Sequence, residues 1–280
     1  MDIFWHSEHT AAMEWQPDPA QYPAFLRRKI ARGRGCRAGS SYLPWYTTRE
    51  IRSMGNCDTP NSIRNGRQYE LLSDFETLYF YLLERKQSVL DLREQFPIFD
   101  LARTQQLAAE FGIPHKRVGR YPEPYTIDFL VTENIEDQHV LRAASIKPPD
   151  IEFDAVTSAK LSIEHQWCEE QGIRWELIDL STLPDPQVTL STLRFLRRWR
   201  AHGWQPEPVL GKMVRDHFMH VYERNIPLST LLKRTAQRLR LKSEQAEDAF
   251  RYGAWAGDIN ISLNHEVALN LPLVLRNDEV

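Results

Sequence analysis

Two charged residues, Asp128 and Lys147, could together carry out the chemistry of a metal-dependent nuclease. Asp128 lies within an apolar, strand-like run at 125–131, and Lys147 ends a second such run at 140–147. Phosphodiester hydrolysis needs hard oxygen ligands that hold a divalent cation against the phosphate. It also needs a group that stabilises developing charge or helps to activate water, which a lysine can do. A carboxylate in one strand and a lysine closing the next therefore favour a nuclease site.

Two more oxygen donors accompany this pair. Glu76, on a predicted helix ahead of the strands, could supply a second metal ligand. Strand alternation groups Ser145 with Lys147, so both could converge on Asp128 if the two strands are neighbours. Each charged residue also has a purely structural explanation. Glu76 could be no more than a helix cap, Asp128 could pair with an arginine, and Lys147 could be an exposed strand end. Their occurrence together among alternating helices and strands favours catalysis.

Several other charged residues could assist at such a site. A basic loop ahead of the Asp128 strand either grips a phosphate or is simply solvated; it contains His115, Lys116, Arg117 and Arg120. Glu164, on the next predicted helix, could reach the site as an accessory acid, although a position on the helix surface is the favoured interpretation. Three basic clusters could bind phosphates or form solvated helix faces. They are Arg27, Arg28, Lys29, Arg32, Arg34 and Arg37; Arg194, Arg197, Arg198 and Arg200; and Lys233, Arg234, Arg238, Arg240 and Lys242.

The overall composition bounds the class of protein. The 280 residues are 42% hydrophobic and 26% charged, and the formal net charge is -3, which is ordinary for a globular protein with a buried core. The longest apolar runs are too short for a membrane span. The cysteines form no Cys-x-x-Cys zinc pair, and no signal-like segment opens the chain. No Walker loop, His-Glu-x-x-His motif or nucleophile elbow indicates another chemistry. We therefore expect a cytoplasmic protein without a membrane partner.

The periodicity of the chain predicts the elements that position these residues. A short basic helix is predicted within 23–37, further helices at 74–86, 101–111 and 155–171, and strands at 89–96, 125–132, 139–147 and 173–178. Pro184 and Pro186 then mark a boundary. Beyond it, helices at 189–202, 209–224, 228–241 and 244–255 precede a hairpin built from 259–263 and 267–271. We predict an N-terminal arm at 1–22, a catalytic domain at 23–181 and a winged-helix-like domain at 182–280.

Several runs around these residues are similar to a known family. The segments at 71–76 and 88–97 closely resemble the TnsA endonucleases of Tn-seven-like bacterial transposons, and so do those at 42–45, 127–131 and 146–148. The resemblance covers about residues 26–180. Its most specific part is the string Arg-Glu-Gln-Phe-Pro at 93–97, which adds Arg93 and Gln95 to the accessory or DNA-contacting candidates.

The resemblance implies both a fold and an activity. The fold would be restriction-endonuclease-like, of the PD-(D/E)xK type, with a mixed sheet flanked by helices. Glu76, Asp128 and Lys147 would be the catalytic residues of an endonuclease that uses Mg²⁺, for which Mn²⁺ can substitute. This enzyme would cut double-stranded DNA near the 5′ ends of the transposon while a TnsB-like transposase processes the 3′ ends. The C-terminal domain would contact a TnsC-like ATPase regulator, and the protein would associate with the bacterial nucleoid during transposition.

One position departs from the family pattern. Ser145 stands where the family has a glutamine, and a hydroxyl is a weaker metal ligand than an amide or carboxylate oxygen. The backbone carbonyl of Ile146 and a water could fill this gap. Two alternatives stay open: a stand-alone restriction or repair nuclease, and a non-catalytic DNA-binding adaptor in which Ser145 marks a decayed site. The intact Glu76, Asp128 and Lys147 argue against decay.

Overall fold

A computed structural model describes residues 17, 20, 22–51, 56–148 and 152–278. The chain divides into two compact units. The first contains the described residues up to Thr77 together with Lys86–Asp179, and the second contains Leu78–Arg85 and the residues from Leu180 onwards. Apart from residues 17, 20 and 22, the arm predicted at 1–22 lies outside the described residues.

A four-stranded mixed sheet forms the centre of the first unit. The strands of this unit are, in chain order, β1 (Val89–Pro97), β2 (Arg117–Val118), β3 (Tyr121–Pro122), β4 (Thr126–Ile135), β5 (Gln138–Ile146) and β6 (Arg174–Ile178). The sheet order is β1-β4-β5-β6, whereas β2 and β3 form a separate small hairpin. The β1-β4 and β4-β5 pairs are antiparallel, and β5-β6 is parallel. The expectation of a mixed α/β fold with a central mixed sheet is confirmed.

The helices of the first unit are, in chain order, α1 (Ala24–Ala31), α2 (Asp74–Glu84), which begins in this unit, α3 (Leu101–Glu110) and α4 (Ala155–Glu170). Helices α3 and α4 pack on the sheet through apolar side chains. Leu107 of α3 and Trp167 of α4 are fully buried in one cluster with Ile127, Leu130 and Ala143 of the sheet. Burying a large apolar side chain contributes roughly 1.5–3 kcal/mol, so this packing holds α4 against the sheet.

Local signals determine where α2 and α4 begin. Ser73 caps α2, because its Oγ accepts the Glu76 N–H at 3.1 Å, as the capping-box pattern predicts. Asp154 caps α4 in the same way by accepting the Thr157 N–H at 2.6 Å. These caps set the first turn of each helix and therefore the direction in which its later side chains point.

The segment between α1 and α2 is attached to the end of β1. Helix α1 is shorter than the predicted 23–37 range, and the chain turns at Gly33 and Gly35, both of which have positive φ angles. A Cβ at Gly35 would lie 2.3 Å from Cγ of Pro97, so only glycine permits this close approach. The Trp45 N–H donates to the carbonyl of Gln95 at 3.2 Å, which adds a second attachment.

The second unit is mainly helical. After the turns of α2 that it contains, its helices are α5 (Pro186–Leu196), α6 (Arg198–Ala201), α7 (Pro208–Val221), α8 (Leu228–Leu239) and α9 (Ser243–Ala256). Helices α7, α8 and α9 pack against one another. The predicted helix at 189–202 is divided near Arg197 into α5 and α6.

The hairpin predicted from 259–263 and 267–271 was wrong. Ile261 forms an isolated bridge with Leu275 instead, and the described residues 267–271 contain no strand. The reason is that the two segments pair with other parts of the chain. The Ser262 N–H donates to the carbonyl of Val274 at 2.9 Å, and the carbonyls of Leu271 and Leu269 accept N–H groups from the start of α8 at 2.9 and 2.8 Å. A winged-helix-like fold for this unit therefore stays a prediction.

Among the described helices, none combines the length and the apolar character that crossing a bilayer requires.

Candidate active site

Strands β4 and β5 bring Asp128, Ser145 and Lys147 together. The register pairs Phe129 with Ala144, which places Asp128 opposite Ser145. The backbone N–H of Ile146 donates to Oδ2 of Asp128 at 2.7 Å, and Nζ of Lys147 lies 4.0 Å from the same oxygen. The three side chains therefore converge at one end of the sheet, as strand alternation predicted.

Glu76 reaches this group from the first turn of α2. Its side chain is buried, and Oε2 accepts the Leu72 N–H at 3.0 Å and Nε2 of Gln95 at 3.3 Å. The Gln95 side chain also favours the charged form of Asp128 and lowers its pKa, so Gln95 acts on both carboxyls. Gln95 has a φ of 48°, a left-handed conformation that is uncommon outside glycine and costs about 1–3 kcal/mol. Strain of this kind often lies at functional sites.

Glu164 also lies in this group, which corrects the prediction of a position on the helix surface. It is only 8% exposed, and its Oε2 accepts the Ser145 hydroxyl at 2.5 Å. Nε1 of Trp175 donates in turn to Oγ of Ser145 at 3.3 Å. One signal could have found this position: Glu164 precedes the apolar Trp167 by three residues and Cys168 by four, a spacing that places all three on one helix face.

Acidic groups outnumber basic ones around Asp128. Burial, together with repulsion from Asp128, raises the pKa of Glu164 to about 8. The same two causes raise the pKa of Glu76. Burial also raises the pKa of Asp128, against the opposing effects of Lys147 and of the Ile146 N–H. Two buried carboxyls and the partly buried Asp128 therefore lie near Lys147, and the pKa of each is raised mainly because burial penalises its charged form.

The oxygen donors of this group fit a hard divalent cation. Within the described ranges, no three or more His, Cys, Asp or Glu side chains form a ready-made metal cage. The chemistry of the group still suits Mg²⁺ or Mn²⁺, because both prefer carboxylate and carbonyl oxygens. A cation would also favour the ionised carboxylates, against the burial that raises their pKa.

Two of the accessory candidates are held inside the fold. His115 is 9% exposed, and both its ring nitrogens have partners: Nε2 lies 3.0 Å from the Thr104 hydroxyl and Nδ1 lies 2.8 Å from the carbonyl of Lys116. Arg93 is 4% exposed and lies 3.5 Å from the carboxylate of Asp91. The predicted roles of His115 and Arg93 in binding DNA are therefore not supported by their positions.

Two other candidates are engaged at the surface. Lys116 donates through Nζ to the Tyr46 hydroxyl at 2.7 Å. Arg34 forms an ion pair with Glu50 at 2.7 Å and donates to the carbonyl of Trp45 at 3.1 Å. These contacts give both side chains a structural role, while part of each stays accessible.

The remaining basic candidates are exposed. Arg27 and Arg28 lie on the exposed face of α1, and Arg117 and Arg120 lie on the β2–β3 hairpin. These four side chains are accessible at the surface, so their DNA-contacting role stays a prediction.

Comparison with known proteins agrees with this geometry. Residues 86–179 match the family described as TnsA-like endonuclease N terminal. The chain is 35% identical over 150 residues to the transposon Tn7 transposition protein TnsA of Escherichia coli. That match covers 54% of this chain and 54% of the relative, so the chain spans about half the length of the relative.

The matched domain contains most of the candidate site. It extends from just before β1 to the end of β6 and includes Asp128, Ser145, Lys147 and Glu164, whereas Glu76 precedes it. The resemblance seen in the sequence is confirmed: this domain is similar to the N-terminal domain of TnsA-like endonucleases.

Proposed function

We propose that this protein is a divalent-metal-dependent DNA endonuclease and a subunit of a heteromeric cut-and-paste transposase. The observation that carries this proposal is the acidic group of Glu76, Asp128 and Glu164, in which Nζ of Lys147 lies 4.0 Å from Asp128. Its position in a TnsA-like domain supports phosphodiester hydrolysis as the reaction.

The carboxylates are the proposed metal ligands. Asp128 and Glu76 would be the main ones, with Glu164 beside them and the Ile146 carbonyl as a neutral ligand. When bound, Mg²⁺ or Mn²⁺ neutralises charge on the phosphate and lowers the pKa of a bound water. The Gln95 amide would orient Glu76 through its hydrogen bond, and the Ile146 N–H would orient Asp128.

Lys147 would act on the scissile phosphate. Its side chain is 32% exposed, so the ammonium can reach a substrate while its Nζ lies 4.0 Å from Asp128. A fixed cation at this place stabilises the charge that develops on the phosphate oxygens and helps to orient the attacking water.

Ser145 would act mainly through Glu164. Its hydroxyl donates to Glu164 and accepts from Trp175, which leaves one lone pair for any direct contact with a metal. We therefore assign to Ser145 the positioning of the Glu164 carboxylate, with metal ligation as a minor contribution. On this assignment, serine at a position where the family has glutamine is compatible with an active site.

The wider role is proposed from the relative, which is named as a Tn7 transposition protein. The domain at 23–181 would cleave the 5′ ends of the transposon, and a TnsB-like transposase would process the 3′ ends. The domain at 182–280 would be winged-helix-like and would bind a TnsC-like ATPase. DNA affinity would come largely from phosphate contacts and would fall as salt rises.

Strand-resolved cleavage tests this proposal. A labelled transposon-end duplex is incubated with Mg²⁺ or Mn²⁺, with and without the neighbouring transposase, using the wild type and Asp128→Ala. Glu133→Gln is the matched control, because Glu133 is an acid of the same strand that pairs with Arg142 and lies towards the other end of β4.

Each outcome separates the candidate functions. Partner-dependent cutting of the 5′ strand that is lost in Asp128→Ala but kept in Glu133→Gln supports the transposase subunit. Cutting by the protein alone favours a stand-alone nuclease. If the wild type binds DNA beside an active partner but never cuts, the protein is an adaptor and the proposed function is wrong.

A further inference from the structure

An exposed surface of the first unit combines basic and apolar side chains. We call it the hairpin surface and define it as the exposed residues of the β2–β3 hairpin with one face of α1: Phe25, Arg28, Arg117, Val118, Arg120 and Tyr121. Val118 is 40% exposed, Tyr121 36% and Phe25 38%. Large apolar side chains that share an exposed patch often mark a contact site.

Contacts within the hairpin surface hold its aromatic side chains in place. The rings of Phe25 and Tyr121 meet edge to face, with centroids 6.1 Å apart. Nη2 of Arg120 donates to the Tyr121 hydroxyl at 2.8 Å, and the Arg120 guanidinium lies 5.0 Å from the Tyr121 ring centroid. Arg28 follows Phe25 by one helical turn and so lies on the same side of α1. The surface therefore presents organised aromatic side chains among arginines.

The base of the hairpin adjoins the candidate active site. The Glu123 N–H donates to the carbonyl of Lys116 at 3.0 Å, which closes the hairpin at its base. The Lys116 N–H donates to the Tyr125 hydroxyl at 3.3 Å, and Tyr125 directly precedes β4, the strand that carries Asp128. DNA whose phosphate lay beside Asp128 would therefore pass close to the hairpin surface.

The opposite end of the same strand has a different character. The β4–β5 turn also exposes apolar side chains, with Ile135 49% and Val140 37% exposed. Its neighbouring charges are acidic, because Glu136 and Asp137 form the turn itself. Phosphates would be repelled there, whereas the arginines of the hairpin surface attract them.

We propose that the hairpin surface binds the DNA duplex beside the scissile phosphate. Arg28, Arg117 and Arg120 would contact phosphates, while Phe25, Val118 and Tyr121 would press against the bases and unstack them next to the cut. Apolar side chains that enter a base step partly unstack it, and aromatic rings stack on exposed bases. This inference rests on the proposed endonuclease function, since it describes how the DNA substrate of that active site would be held.

Fluorescence of 2-aminopurine tests the inference without cleavage. A transposon-end duplex carries the probe at base steps around the cleaved phosphate, and full-length protein is added in EDTA. The wild type should increase the fluorescence, because unstacked 2-aminopurine is brighter. The double variant Phe25→Ala/Tyr121→Ala should abolish the increase and weaken binding about 10-fold, from the stacking lost. Tyr121→Phe should keep the increase, since only the ring is needed.

The controls separate this inference from the proposed function. Ile135→Ala and Val140→Ala remove exposed apolar side chains at the acidic end of β4 and should leave both signals unchanged. Arg120→Gln should reduce the slope of the logarithm of the binding constant against the logarithm of salt concentration, by the amount expected for about one phosphate contact. The inference is overturned if the double variant binds and brightens the probe like the wild type. A wild type that unstacks DNA but never cleaves it overturns the proposed function alone.

Discussion

Two groups of buried charged residues lie beside adjacent positions of β1, and they are built in opposite ways. Glu94 is fully buried and forms a two-pronged ion pair with Arg67, in which both N–O distances are 2.7 Å. The next residue, Gln95, contacts Glu76 and Asp128, whose charges are only partly offset by Lys147. The first group balances its charge within the protein, whereas the second leaves negative charge in excess.

The balanced group is also closely packed. The Arg67 guanidinium lies 3.6 Å from the centroid of the Tyr69 ring, and Nη2 donates to the carbonyl of Leu92 at 3.0 Å. The Glu70 N–H donates to the Glu94 carboxylate at 3.2 Å. The difference teaches that buried charge alone does not identify a functional site. A lack of local compensation is the more informative feature, because it leaves the group able to bind an external cation.

Breaking the balanced group should have the largest effect on folding. Arg67→Met leaves Glu94 buried without its partner, so the free energy of unfolding should fall by about 3–5 kcal/mol. Urea denaturation followed by circular dichroism measures this loss. The double variant Arg67→Met/Glu94→Leu should recover most of it, because no unpaired charge remains. A single variant as stable as the wild type would contradict the structural role of the pair.

Neutralising an acid of the unbalanced group should have two opposite effects. Glu164→Gln removes a carboxyl whose ionisation is opposed mainly by burial, so the unfolding free energy of the metal-free protein at neutral pH should rise by on the order of 1 kcal/mol. Cleavage should fall about 10²-fold, because a proposed oxygen ligand loses its charge. Thermal unfolding in EDTA and strand cleavage in Mn²⁺ measure the two effects. A loss of stability would show that Glu164 is compensated like Glu94.

Removing the Ser145 hydroxyl should have a smaller effect on the same group. Ser145→Ala takes away the donor to Glu164 and should reduce cleavage about 10-fold, because the carboxylate is less well oriented. Calorimetric titration should show that the Kd for Mn²⁺ rises by about the same factor. The control is Ser162→Ala, which removes an exposed serine of α4 that bonds only within its helix. Equal activity of all three proteins would exclude positioning by Ser145.

The smallest expected effect concerns the pH dependence of folding. Burial lowers the pKa of His115 below its usual 6.5, and the nearby Arg117 and Lys116 act in the same direction. The unfolded chain therefore binds a proton more readily. Stability from neutral His115 is complete above pH 6.5 and is lost as the pH falls through the folded pKa, by at most about 1.4 kcal/mol per unit. Urea denaturation at a series of pH values in this range measures the unfolding free energy. That free energy should change less steeply with pH for His115→Gln than for His139→Gln, an exposed control.

Much of the fold and the centre of the site could be predicted because the signals are local. Ser73 caps α2 by accepting the Glu76 N–H, as its place ahead of the helix indicates. The apolar runs around Asp128 and ahead of Lys147 became neighbouring strands, and their alternation placed both residues at one end of the sheet. Each of these features depends on residues that are close in the chain, so periodicity is enough to reveal it.

Other features depended on which elements pack together. Glu164 became buried because α4 lies on the sheet beside Ser145 and Trp175, and a helical repeat alone does not show what covers a given face. The predicted C-terminal hairpin failed because its first segment bonds to residues 274–276 and its second segment bonds to the start of α8. The sequence by itself determined the elements and the main acid–lysine pair. Tertiary structure decided which charges are buried and which are compensated, because desolvation and hydrogen bonding depend on distant parts of the chain.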